Sequence, residues 1–306
     1  MVAINKRIKI PQITSPYKRI YIPAPDTYKG IDTPSFKYGE LHNEWIVNDF
    51  TFIKRGDTWH SFGITHPRPT EFMDDFNFSG DVHEAEFQLF HAEWKGDLES
   101  LYKSGQMTDR DKILYPQQRP NEPHNCWAPC ITEKDGKYYL FYSPESMRLA
   151  VSDNLYDWEI FGTLFTGANM MRDPYVFLEN GIYTMIYVTD CLKYRTSQDL
   201  LSWSDEKTFQ ENKFSKNSAQ ESPCVVKRNG VYYLIWCIYD GTNGCYDNRT
   251  YIFAADSIYG FNDKSPVGMF QGHAPEIISE CDKDYLISVF YPNNGLNMAE
   301  LDWFEI

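Results

Sequence analysis

One pattern recurs five times in this 306-residue chain, and it limits the fold more than any other feature. Aligned on Phe50, Pro129, Pro174, Pro223 and Pro275, the segments read Asn48-Asp49-Phe50-Thr51-Phe52-Ile53, Trp127-Ala128-Pro129-Cys130-Ile131-Thr132, Arg172-Asp173-Pro174-Tyr175-Val176-Phe177, Glu221-Ser222-Pro223-Cys224-Val225-Val226 and His273-Ala274-Pro275-Glu276-Ile277-Ile278. Seven residues after each anchor stands a turn residue: Asp57, Gly136, Gly181, Gly230 or Asp282. A second apolar run follows each turn, as in Tyr138-Tyr139-Leu140-Phe141-Tyr142. Two such runs joined by a short Gly, Asn or Asp turn predict a β-hairpin. Three units close alike, at Ala150–Trp158, Arg195–Trp203 and Ala254–Phe261.

The later anchors lie 45 to 52 residues apart and the first two 79 apart, so the first unit carries an insertion near residues 65–88 or 95–122. Several strands per unit at such a period predict an all-β, five-bladed β-propeller. Radial sheets leave only short edges, which suits an all-β chain. The propeller is expected over residues 44–306. Residues 1–43, rich in Pro, Lys and Tyr, are expected to form an irregular arm packed on it, and Thr108-Asp109-Arg110-Asp111-Lys112 a solvated loop.

Composition narrows the partners. A formal charge of −14 repels phosphate backbones, so no nucleic-acid partner is expected. No stretch approaches the roughly 20 apolar residues of a membrane span, so none is expected with a membrane either. Residues 1–12 are basic and have no apolar leader core. The chain as written is thus expected in the cytoplasm, or outside the cell with a leader removed. The seven cysteines show no close pairs, so buried free thiols are expected, with a single Cys237–Cys245 bridge left open.

In a propeller the first strand of each blade lines a central channel, and the residues just before those strands meet at one mouth. That brings together Asp49, Trp127, Arg172, Asp173, Glu221 and His273. Like charges in a small, partly buried space raise at least one carboxyl pKa. One group then keeps its proton near neutral pH while another stays ionised, the division of labour that glycoside hydrolysis requires.

Taken together and in order, these motifs resemble the five-bladed propeller of glycoside hydrolase family 43 and its clan relatives. The resemblance implies that Asp49 is a general base, Asp173 tunes and orients the acid, and Glu221 is the general acid of an inverting reaction. Trp127-Ala128-Pro129 is similar to the family's second-blade motif. His273 matches a fifth-blade His that in several members sits beside a central cation or water, so a structural calcium in the channel is implied as an option and no cofactor is required. The chain departs from the family at Phe50, where proline is usual. Arg172-Asp173-Pro174 also resembles glycoside hydrolase family 32, whose retaining fructan and sucrose hydrolases are the second reading. A non-catalytic carbohydrate-binding propeller is the third. The first reading implies an oligo- or polysaccharide substrate bearing arabinofuranosyl, xylosyl or related residues.

Other residues carry two readings each. Trp127 stacks a sugar or packs between blades. Arg172 binds a hydroxyl or pairs with an acid. Arg249, expected just before a fourth-blade strand, reaches the pocket or lies in a surface turn. In His83–Ala92 strand alternation keeps His83 and His91 far apart on one side, so a wall of the pocket is expected there rather than a metal site.

Overall fold

The computed structural model describes residues 8–68, 85–167, 170–213, 218–240, 245–290 and 295–305. It is a five-bladed β-propeller. Blade 1 holds strands Trp45–Arg55, Thr58–Pro67, Gln88–Lys95 and Thr108–Ile113. Blade 2 holds Trp127–Lys134, Lys137–Ser143, Ser146–Ser152 and Glu159–Thr166. Blade 3 is built from Arg172–Glu179, Ile182–Val188, Leu192–Ser197 and Lys207–Gln210, and blade 4 from Ser218–Arg228, Val231–Asp240, Cys245–Ala255 and Gly268–Gln271. Blade 5 runs His273–Glu280, Lys283–Val289 and Leu296–Glu305. The first strands touch in cyclic order, blade 5 meeting blade 1, so the ring is closed.

The expected irregular arm is partly regular. Lys9–Ile13 and Lys18–Tyr21 both pair antiparallel with Leu296–Glu305. The N-terminal segment therefore supplies the outer strand of the last blade and ties the two ends of the chain together. Thr108–Ile113 is likewise no loop. It is the fourth strand of blade 1, and Lys112 is buried with its Nζ 2.6 Å from Asp26 Oδ2. An outer strand has only one ladder to satisfy, so it tolerates a charged sequence that would not fit further in.

Each of the five largest apolar clusters is an interface between neighbouring blades. Phe62, Leu89, Tyr138 and Leu140 fill the space between blades 1 and 2, and Ile186, Val225, Leu234 and Trp236 that between blades 3 and 4. Middle strands are buried on both faces, and so read as continuous apolar runs. Both central residues of four hairpin turns have positive φ: Asp135-Gly136, Asn180-Gly181, Asn229-Gly230 and Cys281-Asp282. That is the type I′ geometry whose twist matches the strands.

In blades 2 to 5 the anchor sits inside a β-bulge. In every blade three steps along the first strand face two along the second, as from Arg172 to Tyr175 against Val188 to Ile186. The residue before the anchor has φ of 41° at Ala128, 55° at Asp173, 47° at Ser222 and 49° at Ala274. A bulge leaves one residue out of the ladder, and proline, which has no N–H to pair, is at home beside it. Blade 1 keeps a bulge one residue earlier, between Val47 and Phe50, so Phe50 itself pairs with Gly63.

Gly63 faces Phe50 at the end of that bulge. A Cβ there would lie 2.4 Å from Phe90 Cε1 and 2.8 Å from the Phe50 Cβ. Gly63→Ala is expected to lose about 1–3 kcal/mol through overpacking. Urea denaturation measures the loss, and an unchanged midpoint would show that the strand yields freely.

Candidate active site

The bulge decides which side chains face the axis. Asp49, Ala128, Asp173, Ser222 and Ala274 all line a central cavity of about 30 Å³, with the anchors and Glu276 beside them. One residue earlier, towards the mouth, the five blades carry Asn48, Trp127, Arg172, Glu221 and His273. The two tiers hold the acids that the repeat alignment predicts.

Ser222 joins two of these acids. Its Oγ donates to Asp49 Oδ1, and its backbone N–H donates to Asp173 Oδ2 at 3.1 Å. Arg172 joins the others: its Nη2 donates to Glu221 Oε1 at 3.2 Å, and its Nε lies 3.6 Å from Asp173 Oδ2. Pairing with acids is thus the reading of Arg172 that the geometry favours. The Glu221 side chain keeps 12% of its exposure and that of Arg172 16%, so both reach the mouth without being bathed in water.

His273 is buried, with Nδ1 3.3 Å from the Cys237 Sγ. Cys237 faces Glu221 across the blade 4 hairpin and is a free thiol, so it forms no bridge. The Cys245 side chain lies outside the described residues. Cys126, Cys130, Cys191 and Cys224 are also free and buried, whereas Cys281 is exposed.

Trp127 is 8% exposed and packs with Ile64 and Ala128, in the wall of the mouth. Arg249 does not precede a strand. It lies within Cys245–Ala255, opposite Gln271 and inside a bulge that adds two residues to its strand. Of the expected pocket wall, His83 and Glu84 lie outside the described residues. Glu86 is buried, and its charge acts on Asp49, so this part of the insertion does reach the site.

Burial and mutual repulsion set the protonation states. Glu221 is pushed to about 8, mainly by burial; Arg172 pulls it down while Asp173 and Asp49 push it up. Asp49 is raised to about 6 by burial, opposed by the Ser222 hydroxyl and increased by Glu86. Asp173 is raised to about 6 by burial, against the pull of Arg172. Burial brings His273 down to about 4 and takes Glu276 up to about 8. Near pH 7, then, Glu221 holds a proton, Asp49 and Asp173 are ionised, and His273 is neutral.

Sequence reasoning passed over Ser222 and Glu276, and met Cys237 only as a bridge candidate. Ser222 was within reach, because it occupies the same repeat position as Asp49 and Asp173. Glu276 follows its anchor directly, so its place in the channel was also implied by the alignment.

No family model matches the chain. A xylosidase/arabinosidase 43A from Humicola insolens is 33% identical over 79 residues, a match that spans 26% of this chain and 22% of that protein's length. An exo-1,5-α-L-arabinanase from a bovine ruminal metagenomic library superposes with a TM-score of 0.61 at 14% identity, covering 83% of this chain and 92% of the other. A β-xylosidase/α-arabinofuranosidase from a compost microbial metagenome gives 0.61 at 18% identity over 84% and 91%. A thermostable family-43 glycoside hydrolase gives 0.60 at 15% identity over 86% and 90%. At these identities the structural likeness is one of fold.

Proposed function

We propose that the protein is a glycoside hydrolase that removes arabinofuranosyl or xylosyl residues from oligo- or polysaccharides. One observation carries this reading: Glu221, Asp49 and Asp173 meet in one mouth, joined through Arg172 and Ser222, where burial raises Glu221 further than Asp49. Glu221 donates its proton to the glycosidic oxygen. Asp49, ionised and oriented by the Ser222 hydroxyl, takes a proton from the water that attacks the anomeric carbon from the other face. Asp173 holds Arg172 and the Ser222 N–H in place, and its charge helps to keep Glu221 protonated. Arg172 limits that effect and steadies the acid. The substrate class rests on the names of the similar proteins, an arabinanase and two xylosidase/arabinosidases among them.

Both proton transfers run through carboxyl groups, so the reaction as proposed needs no cofactor. A calcium ion in the channel would be structural. The carboxylates of Asp49 and Asp173 and the carboxyl group of Glu276 line the cavity, and hard oxygen donors suit such an ion. It would offset their mutual repulsion.

The test is turnover of aryl α-L-arabinofuranoside and β-D-xyloside beside sucrose and inulin, with the anomer of the first product read by NMR. Turnover of a pentoside with inversion is expected. Retention, or turnover of sucrose or inulin, would replace this reading with the fructan-type one, and glycan binding without turnover would leave a binding module. The pH dependence follows from the two groups. kcat/KM should fall below about pH 6, as Asp49 gains a proton, and above about pH 8, as Glu221 loses its own. The bell belongs to the coupled cluster as a whole. A flat profile from pH 5 to 9 would remove this pair as base and acid.

A further inference from the structure

The five blades act as internal controls for one another, and blade 1 breaks their pattern away from the mouth. Three residues after the turn residue, the second strands carry His60, Tyr139, Thr184, Tyr233 and Tyr285. Two residues further on, the positions facing Phe62, Phe141, Ile186, Ile235 and Ile287 on the third strands are His91, Leu149, Tyr194, Ile252 and Met298. Blade 1 alone puts an imidazole at both places. Both are buried, where a polar ring costs free energy that the other blades avoid.

The two rings lie at 28° with centroids 5.3 Å apart and share a hydrogen bond, whose place an ion would take. His60 Nδ1 lies 2.9 Å from His91 Nε2, and a Glu93 carboxylate oxygen lies within 4.8 Å of a ring nitrogen of each histidine. We propose that His60, His91 and Glu93 form a site for a divalent first-row transition-metal ion, with open coordination positions facing the groove beside them. Two nitrogens bound at about 2.1 Å and at right angles stand about 3 Å apart, close to the observed separation, whereas tetrahedral ligands stand about 3.4 Å apart. Two imidazoles and a carboxylate on one face, with the opposite positions open, is an established arrangement for such ions.

The surroundings supply what a metal site needs. The Tyr156 hydroxyl donates to Glu93 Oε2 at 2.6 Å and orients the carboxylate. Arg110 pairs with Glu93 Oε1, but 46% of its side chain is exposed, so it can swing into solvent as an ion enters. His91 opens onto a groove of about 680 Å³ lined by four aspartates and three basic residues, which gives the ion a path in. The groove lies where blade 1 meets the Tyr156–Asp157 turn of blade 2, so a bound ion would join the two blades. None of this depends on the glycosidase reading.

The probe is Co²⁺, titrated into chelator-treated full-length chain and followed by visible absorption, with metal per chain counted by mass spectrometry and Zn²⁺ as competitor. One ion per chain is expected, with weak d–d bands and no thiolate charge-transfer band. Among the described residues the other three-donor group is Glu221–Cys237–His273, so Cys237→Ser separates the two sites and should leave the binding intact. His91→Leu places in blade 1 the residue that blade 2 carries as Leu149, so packing is kept, and it should weaken binding by at least about tenfold. His60→Gln should do the same. Near-ultraviolet circular dichroism shows that each variant is folded. Undiminished binding in a folded His91→Leu or His60→Gln chain would overturn the proposal. So would a thiolate band that Cys237→Ser abolishes, or no Co²⁺ uptake by the wild type.

Discussion

Glu221→Gln is expected to reduce kcat on a natural arabino- or xylo-oligosaccharide by about 10²–10⁴, with KM little changed. That is about 3–5 kcal/mol of transition-state stabilisation. The glutamine keeps the shape and an oxygen that can accept from Arg172 Nη2, as Glu221 Oε1 does at 3.2 Å. What it lacks is the proton. The loss should therefore track the leaving group, being severe for a sugar alcohol and slight for a dinitrophenolate, which departs without protonation. The alkaline limb of the pH profile should vanish as well, because the group raised to about 8 is gone. A uniform loss on all substrates, with the alkaline limb intact, would mark Glu221 as a positioning residue. Full activity would remove it from the reaction.

That prediction rests on a residue visible before any coordinates, and the reason is physical. A repeat places equivalent residues at equivalent heights, so aligning the anchors also aligns two tiers of the channel. Asp49, Arg172, Asp173 and Glu221 were legible for that reason. The spacing did not show the bulge, yet the bulge is what turns Asp173 and Ser222 onto the axis. The short N-terminal strand was hidden because its partner lies nearly the whole chain away: Lys9 faces Glu305. Lys112 reads as solvated because Lys usually is, but here it is neutralised by Asp26 and covered by the Trp45 ring 4.2 Å away. Arg249 was misplaced by a bulge, since two residues added to a strand move its ends without changing its composition.

The largest expected effect on stability lies at Arg148, a residue no motif marks. It is fully buried in the third strand of blade 2, with its guanidinium 4.7 Å from the centre of the Tyr142 ring. Its Nη2 donates to the carbonyls of Asn125 at 2.7 Å and Ser143 at 2.6 Å, and its Nη1 to the Pro123 carbonyl at 3.2 Å and Glu122 Oε2 at 3.4 Å. Arg119 cannot stand in, because it already donates to the carbonyls of Phe87, Leu114, Pro123 and His124. These two guanidiniums hold the segment that leads from the outer strand of blade 1 to Trp127 at the mouth. Arg148→Met keeps the bulk but leaves buried carbonyls without donors and weakens the balance of Glu122, whose side chain is 7% exposed. The expected cost is about 3–5 kcal/mol, the usual range when one partner of a buried ion pair is removed. Adding Glu122→Gln should recover part of it, because a buried charge then balanced only by Arg119 Nη1 at 3.9 Å goes, although the Tyr142 hydroxyl still needs its acceptor at 2.7 Å. Denaturation midpoints of the single and double variants measure both effects. A loss under about 1 kcal/mol in Arg148→Met, a typical surface value, would mean that this segment is held by its backbone and that Trp127 is positioned without Arg148.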